Sequence, residues 1–189
     1  MLIKNCIAVL RANMICFLKK ILHPKAFGYN AKIRFFKGVD LRVRLNGIIL
    51  LGKNVKVDNE TLISANGGEI LIGDNVGIGR NNIIISQDKI SIGKGTILAP
   101  NVFIYDHDHE FDFESGVKVK EYKKSSVIIG ENCWIGANTV ILRGTVIGDN
   151  CLIGAGCVIK GHYPSNSKII QKRETTVTGE EIHENGNSN

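Results

Sequence analysis

A six-residue repeat is the feature that most constrains the fold of this chain. From Ile129 to Ile159 an isoleucine recurs at every sixth position, and a small side chain stands four residues after each of the first five. This period is typical of a β-helix solenoid, in which short strands wind around a triangular core. The predicted fold class is therefore all-β. The isoleucines are Ile129, Ile135, Ile141, Ile147, Ile153 and Ile159, and the small residues are Cys133, Thr139, Thr145, Cys151 and Cys157.

The composition agrees with a narrow interior of this kind. Apolar residues make up 43% of the 189 residues, but aromatic residues only 6%. The repeat becomes readable near Leu51, and three hexads make a turn of about eighteen residues. About six coils fit between residues 45 and 162, which gives a prism roughly 30 Å long. We expect one solenoid domain over residues 23–164.

Residues 1–22 form a separate element. Apolar residues recur there at threes and fours, Lys4, Arg11, Lys19 and Lys20 interrupt them, and His23-Pro24 follows. The pattern predicts an amphipathic helix rather than a transmembrane span, because the charges break every long apolar run. Two roles stay open: packing on the end of the solenoid or on a neighbouring subunit, and peripheral attachment to a membrane.

The repeat breaks on a large scale between Ile104 and Val127. The sequence predicts a loop excursion over residues 105–126, and such excursions from a regular scaffold tend to carry function. This one begins with Asp106-His107-Asp108-His109. Residues 165–189 are expected to form a C-terminal polar tail that is loose from about Thr175.

Charge and cysteine content narrow the choice of partners. The net charge of +6 favours an anionic partner such as a phosphorylated coenzyme, an acidic sugar or a membrane surface. Nucleic acid is a poor candidate, because no recognition motif and no aromatic–basic interleaving is present. Three of the five cysteines fall on the inward small position, so we expect core thiols in a reducing compartment. No cysteine spacing predicts a metal site.

The segment from Glu131 to Lys160, together with Asp106-His-Asp-His109, resembles the hexapeptide-repeat acyltransferases. It is most similar to the branch that acetylates maltose, galactosides and polysaccharides. The resemblance covers about residues 45–164. It implies a left-handed parallel β-helix, a homotrimer, acetyl-CoA as acyl donor and a saccharide as acceptor. The implied setting is bacterial surface-polysaccharide synthesis in the cytoplasm, with the inner membrane face as a further expectation.

The same resemblance implies roles for individual residues. His109 stands where the family places its general base, and His107 is the rival. Independently of the resemblance, the chemistry of a general base suggests that Asp106 or Asp108 would orient the imidazole and stabilise the imidazolium. The coenzyme would contact Trp134, Ala137, Ala155 and Lys160, and no metal is required.

The end of the chain departs from the family pattern. A Gly-x-Pro element usually follows the last coil, whereas Pro164 is followed here by Ser-Asn-Ser-Lys. The element's absence leaves the adenine and 3′-phosphate contacts unassigned. Lys168, Lys172 and Arg173 are candidates for the phosphate.

The chemistry fits these residues, and three alternatives remain. An imidazole suits the removal of a proton from a sugar hydroxyl, a backbone N–H near Ala137 could serve the oxyanion, and direct attack needs no enzyme nucleophile. The first alternative is a zinc hydratase on the same solenoid, for which a third histidine is not evident. The second is a solenoid that has lost catalysis, and the third is acyl transfer to an amine.

Overall fold

The computed structural model describes residues 2–30, 32–172 and 174, and begins with a helix followed by short strands. Helix α1 spans Leu2–Leu22 and ends before Pro24, which has no N–H to continue it. The strands before the excursion are β1 (Phe27–Tyr29), β2 (Arg34–Phe35), β3 (Asp40–Arg44), β4 (Ile48–Leu51), β5 (Lys56–Val57), β6 (Leu62–Asn66), β7 (Glu69–Ile72), β8 (Gly77–Ile78), β9 (Ile83–Ser86), β10 (Lys89–Ile92), β11 (Ile97–Leu98) and β12 (Phe103–Tyr105).

The excursion is a two-stranded antiparallel hairpin, and the coils resume after it. Its strands are β13 (His107–Asp112) and β14 (Gly116–Lys124). The remaining strands are β15 (Val127–Ile129), β16 (Trp134–Ile135), β17 (Val140–Ile141), β18 (Val146–Ile147), β19 (Leu152–Ile153), β20 (Val158–Ile159), β21 (His162–Tyr163) and β22 (Lys168–Ile169).

Every third strand stacks in parallel, which produces three sheets. Face A contains β1, β4, β7, β10, β15, β18 and β21; face B contains β2, β5, β8, β11, β16, β19 and β22; face C contains β3, β6, β9, β12, β17 and β20. The predicted β-solenoid of about six coils is thus confirmed, with six complete coils and a seventh of two strands in the described part of the chain. Paired strands continue to Ile169, beyond residue 164.

The hexad follows from the geometry of one side of the prism. Each two-residue strand from β16 to β20 presents one outward side chain and one buried isoleucine, and the inward residues stack between coils. Ile135, which is 0% exposed, pairs with Leu98 on one side and with Ile153 on the other. The turns need a residue in the left-handed conformation with positive φ, which asparagine adopts at a low energetic cost. Asn138 has φ 57° and accepts a side-chain hydrogen bond of 2.9 Å from Asn101 in the coil before it.

The predicted N-terminal helix is present and packs against the first coil. Its small residues Ala8, Ala12 and Cys16 are buried at 0% exposure, and Ala12 and Cys16 join the same core as Phe35. Most of the large apolar residues of α1 face away from the solenoid, whereas Ile15 packs partly against the core. No helix within the described residues has both the length and the apolar character required to cross a bilayer.

Candidate active site

The root of the hairpin is Asp106, a carboxylate that is 0% exposed. It accepts hydrogen bonds from the Ser86 hydroxyl at 2.6 Å and from the backbone N–H groups of Gln87 and Asp88 at 2.8 and 2.9 Å. Burial raises the pKa of Asp106, but these bonds and one from His107 outweigh burial and hold the pKa below its usual value. Asp106 therefore stays ionised and ties the hairpin to the preceding coil.

His107 is the imidazole that Asp106 holds. Its Nδ1 lies 2.9 Å from Asp106 Oδ1, and its side chain is 13% exposed. An ionised carboxylate only accepts hydrogen bonds, so this contact assigns the proton to Nδ1. The contact fixes the orientation of the ring and leaves Nε2 as the nitrogen with a free lone pair when the ring is neutral.

His109 lies two residues further along β13 on the exposed surface of the hairpin. Its ring packs on Tyr122 with a centroid distance of 4.6 Å, and the same tyrosine contacts His107 edge-on at 5.5 Å. Tyr122 of β14 therefore stands between the two imidazoles, and His109 is its partner in the strand register. The pattern of the sequence did not identify Tyr122, because its place depends on the pairing of two strands that carry no repeat.

The two acidic residues considered for orienting the base have different partners. Asp106 contacts His107, whereas Asp108 accepts a hydrogen bond of 2.5 Å from Nε of Arg143. Arg143 lies in the turn between faces C and A one coil beyond the hairpin, so the ion pair joins β13 to the following coil. The sequence pattern gave no indication of this role for Arg143. Asp106 and Asp108 thus anchor the base of the hairpin to the coils on either side of it.

Three of the four residues predicted to contact the coenzyme lie on other parts of the prism. Trp134 is on face B between Ile97 and Leu152, with 55% of its surface exposed. Ala137 and Ala155 lie in successive turns between faces B and C, which we call the alanine corner. These turns stack so closely that a Cβ at Gly136 would approach the Ala155 nitrogen to 2.5 Å. Lys160 is exposed in the turn after β20.

The seven predicted site residues therefore form two groups. Asp106, His107, His109 and Lys160 belong to turns between faces C and A, which we call the hairpin corner. The others belong to face B and the alanine corner. In a triangular prism face B lies opposite the hairpin corner, so Trp134 is on the far side of the subunit from the two histidines. An open groove of about 490 Å³ on face A, lined by Leu50, Leu71 and Ser91 among others, contains none of the seven.

Metal chemistry gains no support from the side-chain positions. Among the described residues, no three His, Cys, Asp or Glu side chains are grouped so that they could hold one metal ion.

Cys133, Cys151 and Cys157 are buried free thiols in the core, as expected from their inward position. Burial raises the pKa of Cys133. Of the three residues considered for the 3′-phosphate of the coenzyme, Lys168 and Lys172 are within the described chain, whereas Arg173 lies outside it.

Comparison with known proteins gives the family. Residues 126–161 match the family described as bacterial transferase hexapeptide (six repeats). WbbJ of Escherichia coli K12, named as a lipopolysaccharide-biosynthesis O-acetyl transferase, is 30% identical over 164 residues, which are 82% of each chain. The acetyltransferase Rv3034c of Mycobacterium tuberculosis is 33% identical over 132 residues, which are 66% of this chain and 44% of that protein. This chain therefore matches less than half the length of Rv3034c but most of WbbJ.

The solved structures agree in fold. AntD, an N-acyltransferase from Bacillus cereus solved with dTDP and 3-hydroxybutyryl-CoA, superposes with a TM-score of 0.66 over 78% of this chain and 80% of AntD, at 19% identity. A hexapeptide-repeat acetyltransferase from Vibrio cholerae gives a TM-score of 0.51 at 21% identity, over 80% of this chain and 71% of that one. Both likenesses concern the fold. The match to WbbJ over most of both chains shows that this protein belongs to the hexapeptide-repeat acyltransferases, a family of enzymes.

Proposed function

We propose that this protein is an acetyl-CoA-dependent O-acetyltransferase that acts on a hydroxyl of a saccharide, with His109 as the general base. The observation that carries the proposal is the hairpin itself. It leaves the solenoid at the break in the repeat and presents two imidazoles above a buried, ionised carboxylate. The match to WbbJ over most of both chains supports a saccharide acceptor and a role in surface-polysaccharide synthesis.

The reaction requires one proton carrier and no covalent intermediate. The imidazole removes the proton from the acceptor hydroxyl as its oxygen attacks the thioester carbonyl. The new C–O bond forms, the C–S bond breaks, and the imidazolium returns the proton to the departing coenzyme A sulfur. A backbone N–H in the coil of Ala137 is the proposed donor to the oxyanion.

His109 is preferred to His107 because of the resemblance and because its ring is open to solvent. The packing of His109 on Tyr122 limits the ring orientations without covering it. His107 is mostly buried and bound to Asp106, so we assign it and Asp106 to the support of the hairpin surface that carries His109. His107 remains the rival base, since the tautomer protonated on Nδ1 leaves the lone pair of Nε2 to accept a proton.

The positions of the two groups of site residues support a shared site. We propose a homotrimer in which the hairpin corner of one subunit faces Trp134 and the alanine corner of the next. Trp134, Ala137 and Ala155 would then line the arm of the coenzyme, and Lys160, with Lys168 and Lys172, would meet its phosphates. The protein would work in the cytoplasm, where acetyl-CoA is available.

A second candidate is acyl transfer to an amino sugar. The fold likeness to AntD, which was also solved with dTDP-4-amino-4,6-dideoxyglucose and coenzyme A, is the observation that favours it. The 30% identity to WbbJ over most of the chain favours the hydroxyl acceptor, because the likeness to AntD is at 19% identity.

The test is a calorimetric titration with acetyl-CoA, followed by transfer of labelled acetyl to sugar hydroxyls and amines. We expect saturable micromolar binding and transfer to a hydroxyl acceptor. Trp134→Ala should weaken coenzyme binding, whereas the matched control Ile97→Ala, a similarly exposed residue beside it on face B, should have a smaller effect. Absence of binding at millimolar coenzyme would refute the proposal and favour a solenoid without catalysis.

A further inference from the structure

The outward face of α1 is a continuous apolar surface. Its fully buried residues are all small, which leaves eight of the large apolar residues exposed to solvent. With about 100° per residue, the exposed residues Ile3, Leu10, Phe17 and Ile21 lie along one line of the helix. The helix is about 32 Å long at 1.5 Å per residue, so the stripe runs along the whole end of the prism. The exposed apolar residues are Ile3, Ile7, Leu10, Met14, Phe17, Leu18, Ile21 and Leu22, all between 48% and 76% exposed.

The charge of the helix and of the first two strands is entirely positive. Residues 1–39 contain eight Lys and Arg and no Asp or Glu, whereas the rest of the chain contains sixteen of the former and eighteen of the latter. The whole positive charge excess of the protein therefore comes from the helix and the first coil. Exposed Lys25, Lys32 and Lys37 lie in the segment that follows the helix.

Cations also border the apolar stripe. Lys4 and Arg11 lie along one edge and Lys20 along the other. Arg11 reaches the Phe35 carbonyl at 3.4 Å, and the Lys20 ammonium donates to the carbonyls of Pro24 and Phe27 at 2.7 and 2.9 Å. Long cationic side chains at the edges of an apolar helix face are placed to meet headgroups while the stripe enters the acyl region.

We infer that α1 docks the protein on an anionic lipid bilayer, with the helix lying in the plane of the interface. Charge complementarity selects this occupant. A second copy packed helix to helix would bring cationic edges together, and the helix has no acidic residue to pair with them. In an assembly whose symmetry axis runs along the prisms, every copy of α1 faces the same way, so several helices would bind one membrane together.

The test uses the full-length protein and co-sedimentation with vesicles. We expect binding to vesicles of phosphatidylcholine and phosphatidylglycerol that weakens as salt is added, and weaker binding to phosphatidylcholine alone. Phe17→Ser should reduce the vesicle partition coefficient about tenfold or more. The matched control is Phe113→Ser at the tip of the hairpin, where the side chain is 98% exposed. This substitution should leave the partition coefficient unchanged.

Two further measurements define the outcomes. Lys25→Glu should weaken binding to the anionic vesicles and leave the weaker binding to phosphatidylcholine unchanged. Absence of vesicle binding, or equal losses for the two phenylalanine variants, would overturn the inference. A second result would also overturn it: Phe17→Ser lowers the mass measured by light scattering below that of the wild type but leaves vesicle binding unchanged. In that case a second copy of the chain, rather than a membrane, covers the stripe. None of these outcomes depends on the acyl-transfer proposal.

Discussion

The coils and the hairpin are built on opposite plans. Inside the stack of coils, a buried isoleucine meets an equivalent apolar residue above and below, as Ile135 does between Leu98 and Ile153. In the hairpin, the two strands pair with each other, most of their side chains are exposed, and polar contacts from Asp106 and Asp108 attach them to the coils. The comparison shows how a repetitive core can supply stability while a single insertion supplies the chemical groups.

The largest expected effect is a loss of activity without a loss of stability, on substitution of His109. His109→Ala should lower kcat by about a hundredfold to ten-thousandfold, since a general base is lost. The melting temperature should stay unchanged, because the ring is exposed. His162→Ala, an exposed histidine of the last coil, is the control and should retain activity. If instead His107→Ala abolishes turnover and His109→Ala does not, the base is His107.

In the coils, by contrast, substitution of a buried residue should reduce stability. Ile135→Ala should lower the free energy of unfolding by about 3 kcal/mol, because it leaves a cavity between two stacked coils. Val119→Ala on the hairpin removes a side chain that is 72% exposed and should change stability by less than about 0.5 kcal/mol. Urea unfolding at one fixed protein concentration compares them, and equal losses would remove the distinction between the two regions.

Asp106 lies where the hairpin leaves the coils, and its replacement should reduce stability. Asp106→Asn should cost about 2 kcal/mol of stability at neutral pH, because an amide cannot accept from all four donors. The folded pKa of Asp106 is lowered, so its contribution is present above the unfolded pKa of about 4. This contribution is lost as the pH falls through the lower folded pKa. The difference between the melting temperatures of the two proteins should therefore narrow below about pH 4, and a constant difference would contradict this assignment.

The smallest expected effect concerns Tyr122, which contacts both imidazoles. Tyr122→Leu should lower kcat about tenfold by loosening the ring of His109, with unchanged affinity for acetyl-CoA. Tyr122→Phe keeps the ring and should restore most of kcat. Steady-state kinetics with calorimetry distinguishes this positioning role from general destabilisation, which would reduce coenzyme binding as well.

The sequence predicted the coils well because every hexad reports the same local geometry. Isoleucine fills the inward position, and asparagine takes the left-handed turn at residues such as Asn132 and Asn138. The break after Ile104 likewise located the hairpin. The contacts of Tyr122 and Arg143 were not predictable, because the hairpin has no repeat and its register shifts between His109 and Glu110.

The N-terminal helix shows a further limit of periodicity. Apolar spacing predicted a helix, but not which face would pack on the solenoid. The first coil accepts the small stripe of Ala8, Ala12 and Cys16, which allows the helix to approach closely, and the larger residues remain outside. Contact with Phe35 and its neighbours decides this orientation, and these residues precede the readable repeat.

The most direct test of a site shared between two subunits is subunit complementation. His109→Ala and Trp134→Ala chains would be co-expressed, and acetyl transfer measured at limiting acetyl-CoA. Each variant alone should be deficient. If a site takes its hairpin from one subunit and its tryptophan face from the next, random mixing should restore about a quarter of the wild-type activity. Mixed assemblies with no more activity than the two variants measured separately would contradict the shared site and place the complete machinery within one subunit.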